Sequence, residues 1–439
     1  MKKLIIALLF MLPTSLLAND LTLEQAIKIG LENNYEIQIS KQETEISRLN
    51  NAWGTVGRLP MIDLGVQNGN RFDDREQRFN IEGVDPIISR TKMSTVSLAP
   101  YVQLNWTIFD GFNIAIRKEN LEKLQQLSEG SEQDVVETKI RDIILAYYKA
   151  QLDKESLKVM GDIKALSLDR YSVALMKKEL GNVVTFDVLQ FKNSYLRDSA
   201  NYLLQEVSLR NSLRNLNYLL AAEASVSYNP SESFEFEFET YNLDNLKQQM
   251  LNNNKIYQNL LTSQEILENN IDLESNEYMP KLRLNAGADY SQNYLYPDEG
   301  DSYDNYAIDY YANLSLSINI YNGGNTERAV QVAQVEREIG QNSINQLKLS
   351  LENRLQNLHE LYELRKQLYE VSVSNKETAQ LNLQISKDKF DSGAINSFNY
   401  RDIQLQYLSA SLDELSSIYD LLETRVDLLK LTGNIMEMY

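Results

Sequence analysis

"HELYE", residues 359–363, is the nearest this chain comes to a metal-binding signature. A zinc-protease helix of the form H-E-x-x-H needs a second histidine at 363 to place two ring nitrogens on one helix face. Position 363 is Glu363, and His359 is the only histidine, so the ligand set is incomplete. The chain has no cysteine, which removes thiolate nucleophiles, thiol–metal sites and disulfides together. "NGN" at 68–70 is turn chemistry rather than a phosphate-binding loop. Acidic pairs are frequent, but they fall on long helical runs, where they form solvated faces. No catalytic residue, metal ligand or cofactor-binding residue is assigned, and the chain reads as a non-enzyme that needs no cofactor.

Two other stretches stand out, "ELGNVVTFDVLQ" (179–190) and "DSGAINSFNYRD" (391–402), because each interrupts a long helix-forming run. Gly181 and Gly393 suit the left-handed conformation that ends a helix. Thr185 and Ser397 are placed to cap the helix that follows. Asp187 then falls in a first turn, where a negative charge meets the positive end of the helix dipole.

The elements around these breaks repeat. Slid by 220 residues, "LTLEQAIKIGLENNYEIQ" (21–38) lies over "YNLDNLKQQMLNNNKIYQ" (241–258), and Pro60 meets Pro280. At an offset of 212, "IFDGFN" (108–113) lies over "IYNGGN" (320–325), Gly181 over Gly393 and Phe186 over Phe398. The chain is therefore divided into a first repeat, 19–222, a linker, 223–241, and a second repeat, 242–439. The first has helices at 22–58, 113–179 and 185–222 and strands at about 61–69 and 96–109. The second has helices at 242–278, 325–391 and 397–432 and strands at about 282–291 and 308–320. Leu347, Leu351, Leu355, Leu358, Leu361, Leu364 and Leu368 recur at steps of three and four, as in packed, coiled-coil-like helices. In the linker, "SFEFEFET" (233–240) alternates with the period of a strand.

"LRLNAGADY" (282–290) and "YYANLSLSINI" (310–320) alternate apolar and polar residues. Strands of about 9–11 residues with this period suit a membrane barrel, and they also suit a soluble sheet with one solvated face. Seven tyrosines between 290 and 311 favour the barrel, where aromatic belts mark the interfaces. Four strands cannot close a barrel, so the edges need other copies: two chains give eight strands and three give twelve. Residues 70–95 and 291–306, rich in charge, read as outer loops.

"MKKLIIALLFMLPTSLLAND" has a basic start, a short apolar run and a small residue at Ala18, the pattern of a secretory signal peptide over residues 1–18. The formal charge is −19, which disfavours nucleic acid as a partner.

The helix–strand–strand–helix duplication, "LTLEQAIKIGLENN", "IFDG" and "IYNGG" at strand-to-helix transitions, and the two helix breaks together resemble the TolC family of outer-membrane efflux and secretion channels. The resemblance implies a mainly α fold with a membrane β-barrel portion, built as a homotrimer. Four strands per chain would form one shared 12-stranded barrel in outer-membrane lipid. The long helices would form an α-barrel projecting into the periplasm, with the 223–241 linker at its equator. The function implied is a passive exit duct of a tripartite efflux or type I secretion system, fed by an inner-membrane transporter through a periplasmic adaptor protein. The competing class is an extracytoplasmic coiled-coil structural or adhesive protein without a channel.

The same resemblance makes the two breaks periplasmic tips. Two family aspartates that line the entrance correspond to Asn399 and Asp402, so one acid of the pair is an amide here. The family's tyrosine and arginine that hold the tips shut correspond to Phe390 and Ile395, which cannot make those hydrogen bonds, while Asp187 survives in the first tip. An apolar closure by Phe390, Ile395, Phe186 and Phe398 is the expectation in its place. Adaptor docking is expected at Gly181, Asn182, Val183, Gly393 and Ala394, which the residues alone would read as turns.

Overall fold

A computed structural model of the chain describes residues 19–438 apart from 182, 224–227, 235 and 237. The expected leader, 1–18, lies outside the described residues. Two compact units emerge. One joins Glu45–Leu127 to Leu261–Asn342; the other joins the residues up to Thr44 to Ser128–Leu260 and Ser343–Tyr439.

The first unit carries a four-stranded antiparallel sheet of β2 (Met61–Phe79), β3 (Ile87–Phe109), β5 (Lys281–Pro297) and β6 (Tyr303–Ser317), in the order β2-β3-β5-β6. Among the described residues β2 and β6 are open edges. Register fixes the two faces. Ile62, Leu104, Ala286 and Ala312 form one row across the strands, and Leu64, Val102, Ala288 and Tyr310 form the next. These apolar side chains are largely uncovered; Leu64 and Tyr310 are each 80% exposed. The opposite face carries Asn105, Asn285 and Asn313 in one row, with Asn285 Nδ2 donating to Asn105 Oδ1 at 2.6 Å. Gly65 lies opposite Tyr101, and Gly287 lies opposite Tyr311. Each glycine makes room for a ring: a Cβ at 65 would lie 2.4 Å from Tyr101 Cζ, and one at 287 would lie 2.6 Å from Tyr311 Oη.

The strands run further than their alternation predicts. Much of 70–95, expected as an outer loop, is ladder: Arg71–Phe79 pairs with Ile87–Thr95. Charged residues hold it by facing each other in register, Glu76 opposite Arg90 with an ion pair at 2.8 Å. Likewise β5 and β6 take up most of 291–306. At the other end β6 stops at Ser317, short of the expected 320. Nor do the seven tyrosines form one belt. Tyr303 and Tyr311 pair with Leu295 and Gly287 on the polar face, and the rest alternate onto the apolar one.

The second unit is helical. Its short parallel ladder of β1 (Asn19–Leu21) and β4 (Tyr228–Pro230) has no sequence signature. Tyr147, fully buried on α3 (Asn113–Glu179), ties it: its hydroxyl donates to Leu21 O at 2.8 Å and accepts from the amides of Ser231 and Glu232 at 3.2 and 3.3 Å. Around it Ile140, Ile143 and Ile144 of α3 are wholly buried against Ile27, Leu216 and Leu220, each aliphatic side chain contributing about 1.5–3 kcal/mol. The linker phenylalanines form no ladder among the described residues. They pack as a row, Phe236 at 4.8 Å from Tyr148 and 5.9 Å from Phe238, and Phe238 at 5.7 Å from Tyr369. Their alternation is that of an extended chain laid on helices.

The helix expected at 22–58 is two, α1 (Leu23–Asn33) and α2 (Tyr35–Asn50); that at 242–278 is α5 (Leu243–Asn253) and α6 (Lys255–Ser275) followed by a 3-10 turn. The joints are Asn34 and Asn254, both with extended ψ. Each side chain works at both ends. Asn34 Nδ2 donates to Leu219 O at 2.9 Å while Oδ1 accepts from Glu36 N at 3.0 Å. Asn254 Nδ2 donates to Leu431 O at 3.0 Å while Oδ1 accepts from Tyr257 N at 3.0 Å. The asparagine thus caps a new helix and satisfies a carbonyl at the end of α4 (Thr185–Leu219) or α8 (Ser397–Thr432). α4 itself stops at Leu219 rather than 222. On α7 (Asn325–Asp391), Leu351 and Leu355 of the leucine stripe are buried, whereas Leu364 and Leu368 are half exposed. No helix among the described residues is long and apolar enough to cross a membrane.

Candidate functional site at the two helix breaks

Both breaks turn on glycine. Gly181 and Gly393 have φ of +78°, a conformation L side chains rarely adopt. Backbone bonds close the second turn, Gly393 N to Phe390 O at 3.0 Å and Ala394 N to Lys389 O at 2.8 Å. The expected caps are displaced by one residue. Val184 is the N-cap of α4 and makes no side-chain bond, while Asn396 caps α8 by accepting from Asn399 N at 2.9 Å. Thr185 and Ser397 are the first helical residues. Freed from capping, Ser397 Oγ donates to Asp187 Oδ1 at 3.4 Å, joining one break to the other.

The aromatic residues divide into two groups. Phe186 meets Phe398 with ring centroids 6.0 Å apart. Phe390 instead stacks on Tyr400 at 5.1 Å and meets Phe191 edge-on at 6.0 Å. Ile395 is half-buried and Val183 likewise; Gly181, Gly393 and Ala394 are exposed, and Asn182 lies outside the described residues. Asn399 and Asp402 are both exposed, one helical turn apart on α8, and Asp402 Oδ2 accepts from Gln406 Nε2 at 2.8 Å.

Arg401, between them in sequence, does not share their exposure. Its guanidinium forms a two-pronged pair with Asp198 on α4, at 2.6 and 2.7 Å, and Asp198 is 3% exposed. Ser167 of α3 donates to the same carboxylate. A second arginine, Arg170 of α3, reaches Asp391 at the end of α7 at 2.6 Å, and its guanidinium lies 4.8 Å from the ring centroid of Tyr400. Burial pulls the Arg170 pKa down, but Asp391 and Tyr400 together, through hydrogen bonds and charge, outweigh this and leave it above the usual guanidinium value. These polar ties were missed in the sequence. At the offset of 212, Asp198 stands over Ala410 and Arg401 over Leu189, so the only available signal was a charge in one repeat where the other has an apolar residue.

Residues 246–434 match the model of the outer membrane efflux protein family. Over that stretch, most of its second repeat, the chain is similar to that family. It is an outer-membrane protein and an exit duct of efflux systems. Its fold is that of solved channels. The Campylobacter jejuni CmeC outer membrane channel superimposes with a TM-score of 0.72 at 13% identity, over 94% of this chain and 86% of that one. The Vibrio cholerae outer membrane protein VceC gives 0.69 at 12% identity, over 94% and 96%. The open state of the Neisseria gonorrhoeae MtrE outer membrane channel gives 0.69 at 13% identity, over 94% and 89%. A sequence comparison with curated proteins found no match.

Proposed function

We propose that three copies of this efflux protein share one twelve-stranded barrel in the outer membrane, and that their helices form a periplasmic tunnel leading to it. The observation that carries this is the sheet itself. Its apolar face is uncovered, and its edges β2 and β6 are unpaired among the described residues. Lipid can cover the face but cannot satisfy the edges, so other copies must. The half-exposed leucines of α7 suit contacts between copies in the same way. Each repeat, 19–222 and 242–439, then contributes one hairpin of the barrel and one helix break, with 223–241 joining them.

Threefold symmetry turns exposed residues at the breaks into rings. Asp402 supplies three carboxylates, and Asn399 supplies three amides one turn away, so the entrance favours cations with half the charge of an all-aspartate pair. Asp187, Phe390 and Ile395 complete the constriction. The polar tie of Arg401 to Asp198, one residue from Asp402, holds α8 against α4 and sets the aperture. The exposed small residues of the tips, Gly181, Asn182, Val183, Gly393 and Ala394, form the docking surface for a periplasmic adaptor, which hands over substrates from an inner-membrane transporter.

The test is purification from outer membranes in detergent, native mass measurement and planar-bilayer recording. The expected result is a trimer with discrete conductance. A chain that is monomeric and soluble without detergent would overturn the proposal.

A further inference from the structure

A cavity of about 560 Å³ lies among α3, α4 and α8. Three guanidinium groups line it, those of Arg170, Arg197 and Arg401, against one carboxylate, that of Asp402. Gln404 also lines it; the residue is 4% exposed, and its Nε2 has no hydrogen-bond partner among the described residues. The Nε atoms of Arg170 and Arg401 are likewise buried without an acceptor. The other guanidinium nitrogens of these two arginines are engaged, by Asp391 and Tyr400 and by Asp198 and Ser167. Arg197 is exposed and forms no ion pair among the described residues.

Three buried donors of the wall thus lack acceptors, and Arg197 adds a charge that no ion pair neutralises among the described residues. Folded proteins leave few buried donors without partners. Water would supply lone pairs but no charge. A planar or tetrahedral oxyanion supplies both, and its spacing of oxygens matches a guanidinium fork. We propose that this cavity binds a small oxyanion, a phosphate or a carboxylate, through the amide of Gln404 and the guanidinium of Arg197. Bound there, it bridges α8 to α3 and α4 and reinforces the Arg401–Asp198 pair. The proposal rests on the cavity alone and stands whether or not the duct assembles as a trimer.

Calorimetric titration of the full chain in detergent with inorganic phosphate, and separately with acetate, at constant ionic strength tests it. Saturable binding is expected. Gln404→Leu, which removes the unpartnered donor with little change of shape, and Arg197→Gln, an exposed position, should each weaken binding about tenfold, as loss of one charge-assisted hydrogen bond implies. Light scattering run alongside separates the two sources of such a group. A free anion leaves the particle mass unchanged, whereas displacement of a carboxylate lent by a second copy lowers it; both outcomes place an oxyanion in the cavity. Absence of saturable heat with either anion, or equal affinity in the parent and both variants, overturns the proposal.

Discussion

Arg401 on α8 holds Asp198 on α4 through two hydrogen bonds, 2.6 and 2.7 Å long, in a spot where the carboxylate is almost wholly removed from solvent. Breaking such a pair from one side leaves a buried charge, at about 3–5 kcal/mol, whereas removing both charges costs much less. Arg401→Leu and Asp198→Ala should therefore each lower the melting temperature in detergent, and the double variant should recover much of the loss. Single-channel conductance should rise in all three if the pair sets the aperture. Unchanged conductance in the double variant would confine the pair to stability.

Charge selectivity should follow Asp402. Asp402→Asn is expected to reduce cation preference and block by multivalent cations in planar bilayers. Asp187→Ala, which removes the acceptor of Ser397 Oγ, should raise conductance and antibiotic susceptibility. If neither quantity moves, Asp187 does not hold the entrance shut.

The two helix joints should cost alike. Asn34→Leu and Asn254→Leu each strand a carbonyl, Leu219 O or Leu431 O, at a site where the asparagine is buried. Each should destabilise the protein by about 1–3 kcal/mol, read as a fall in melting temperature of similar size for both.

The sheet glycines should not cost alike. A Cβ at Gly65 meets only the outer atoms of the Tyr101 ring, which can swing aside; one at Gly287 also meets Val102 O, a backbone atom, at 2.6 Å. Gly287→Ala should be the worse of the two, by about 1–3 kcal/mol for forced overpacking. Resistance of the assembled oligomer to heating in detergent is the readout.

Glu137 on α3 is buried, and burial pushes its pKa above the ordinary carboxylate value. The folded state therefore keeps this proton longer than the unfolded chain does. Its contribution is fully present below the ordinary value near 4.5 and is lost as pH rises through the raised one. The melting temperature of Glu137→Gln minus that of the parent should accordingly grow as pH rises from about 4.5. A difference flat across that range would show that Glu137 does not titrate abnormally.

How far the sequence carries depends on the range of the interaction. The alternation of Leu282 to Tyr290 is local, and it yields a strand with two distinct faces. Arg71 to Phe79 reads as a loop because the segment is charged on both faces, and its strand character comes from partners across the ladder. Asn34 and Asn254 were visible as a repeated pair, but their role depends on Leu219 O and Leu431 O, which lie far along the chain. Thr185 and Ser397 have the right chemistry for caps and miss the position by one residue. Arg401 and Asp198 meet only in three dimensions, and their repeat counterparts, Leu189 and Ala410, gave no reason to pair them.

The ladder of residues 19–21 with 228–230 bears on the order in which the chain takes shape. Tyr147 Oη stands between the two segments, bonded to Leu21 on one side and to Ser231 and Glu232 on the other. Nothing earlier in the chain offers Asn19–Leu21 a ladder partner among the described residues. During stepwise delivery across a membrane, this segment must wait until roughly half of the polypeptide has emerged, a long loop closure before any reward. Residues 19–21 thus find their ladder partner only after the whole first repeat has been delivered.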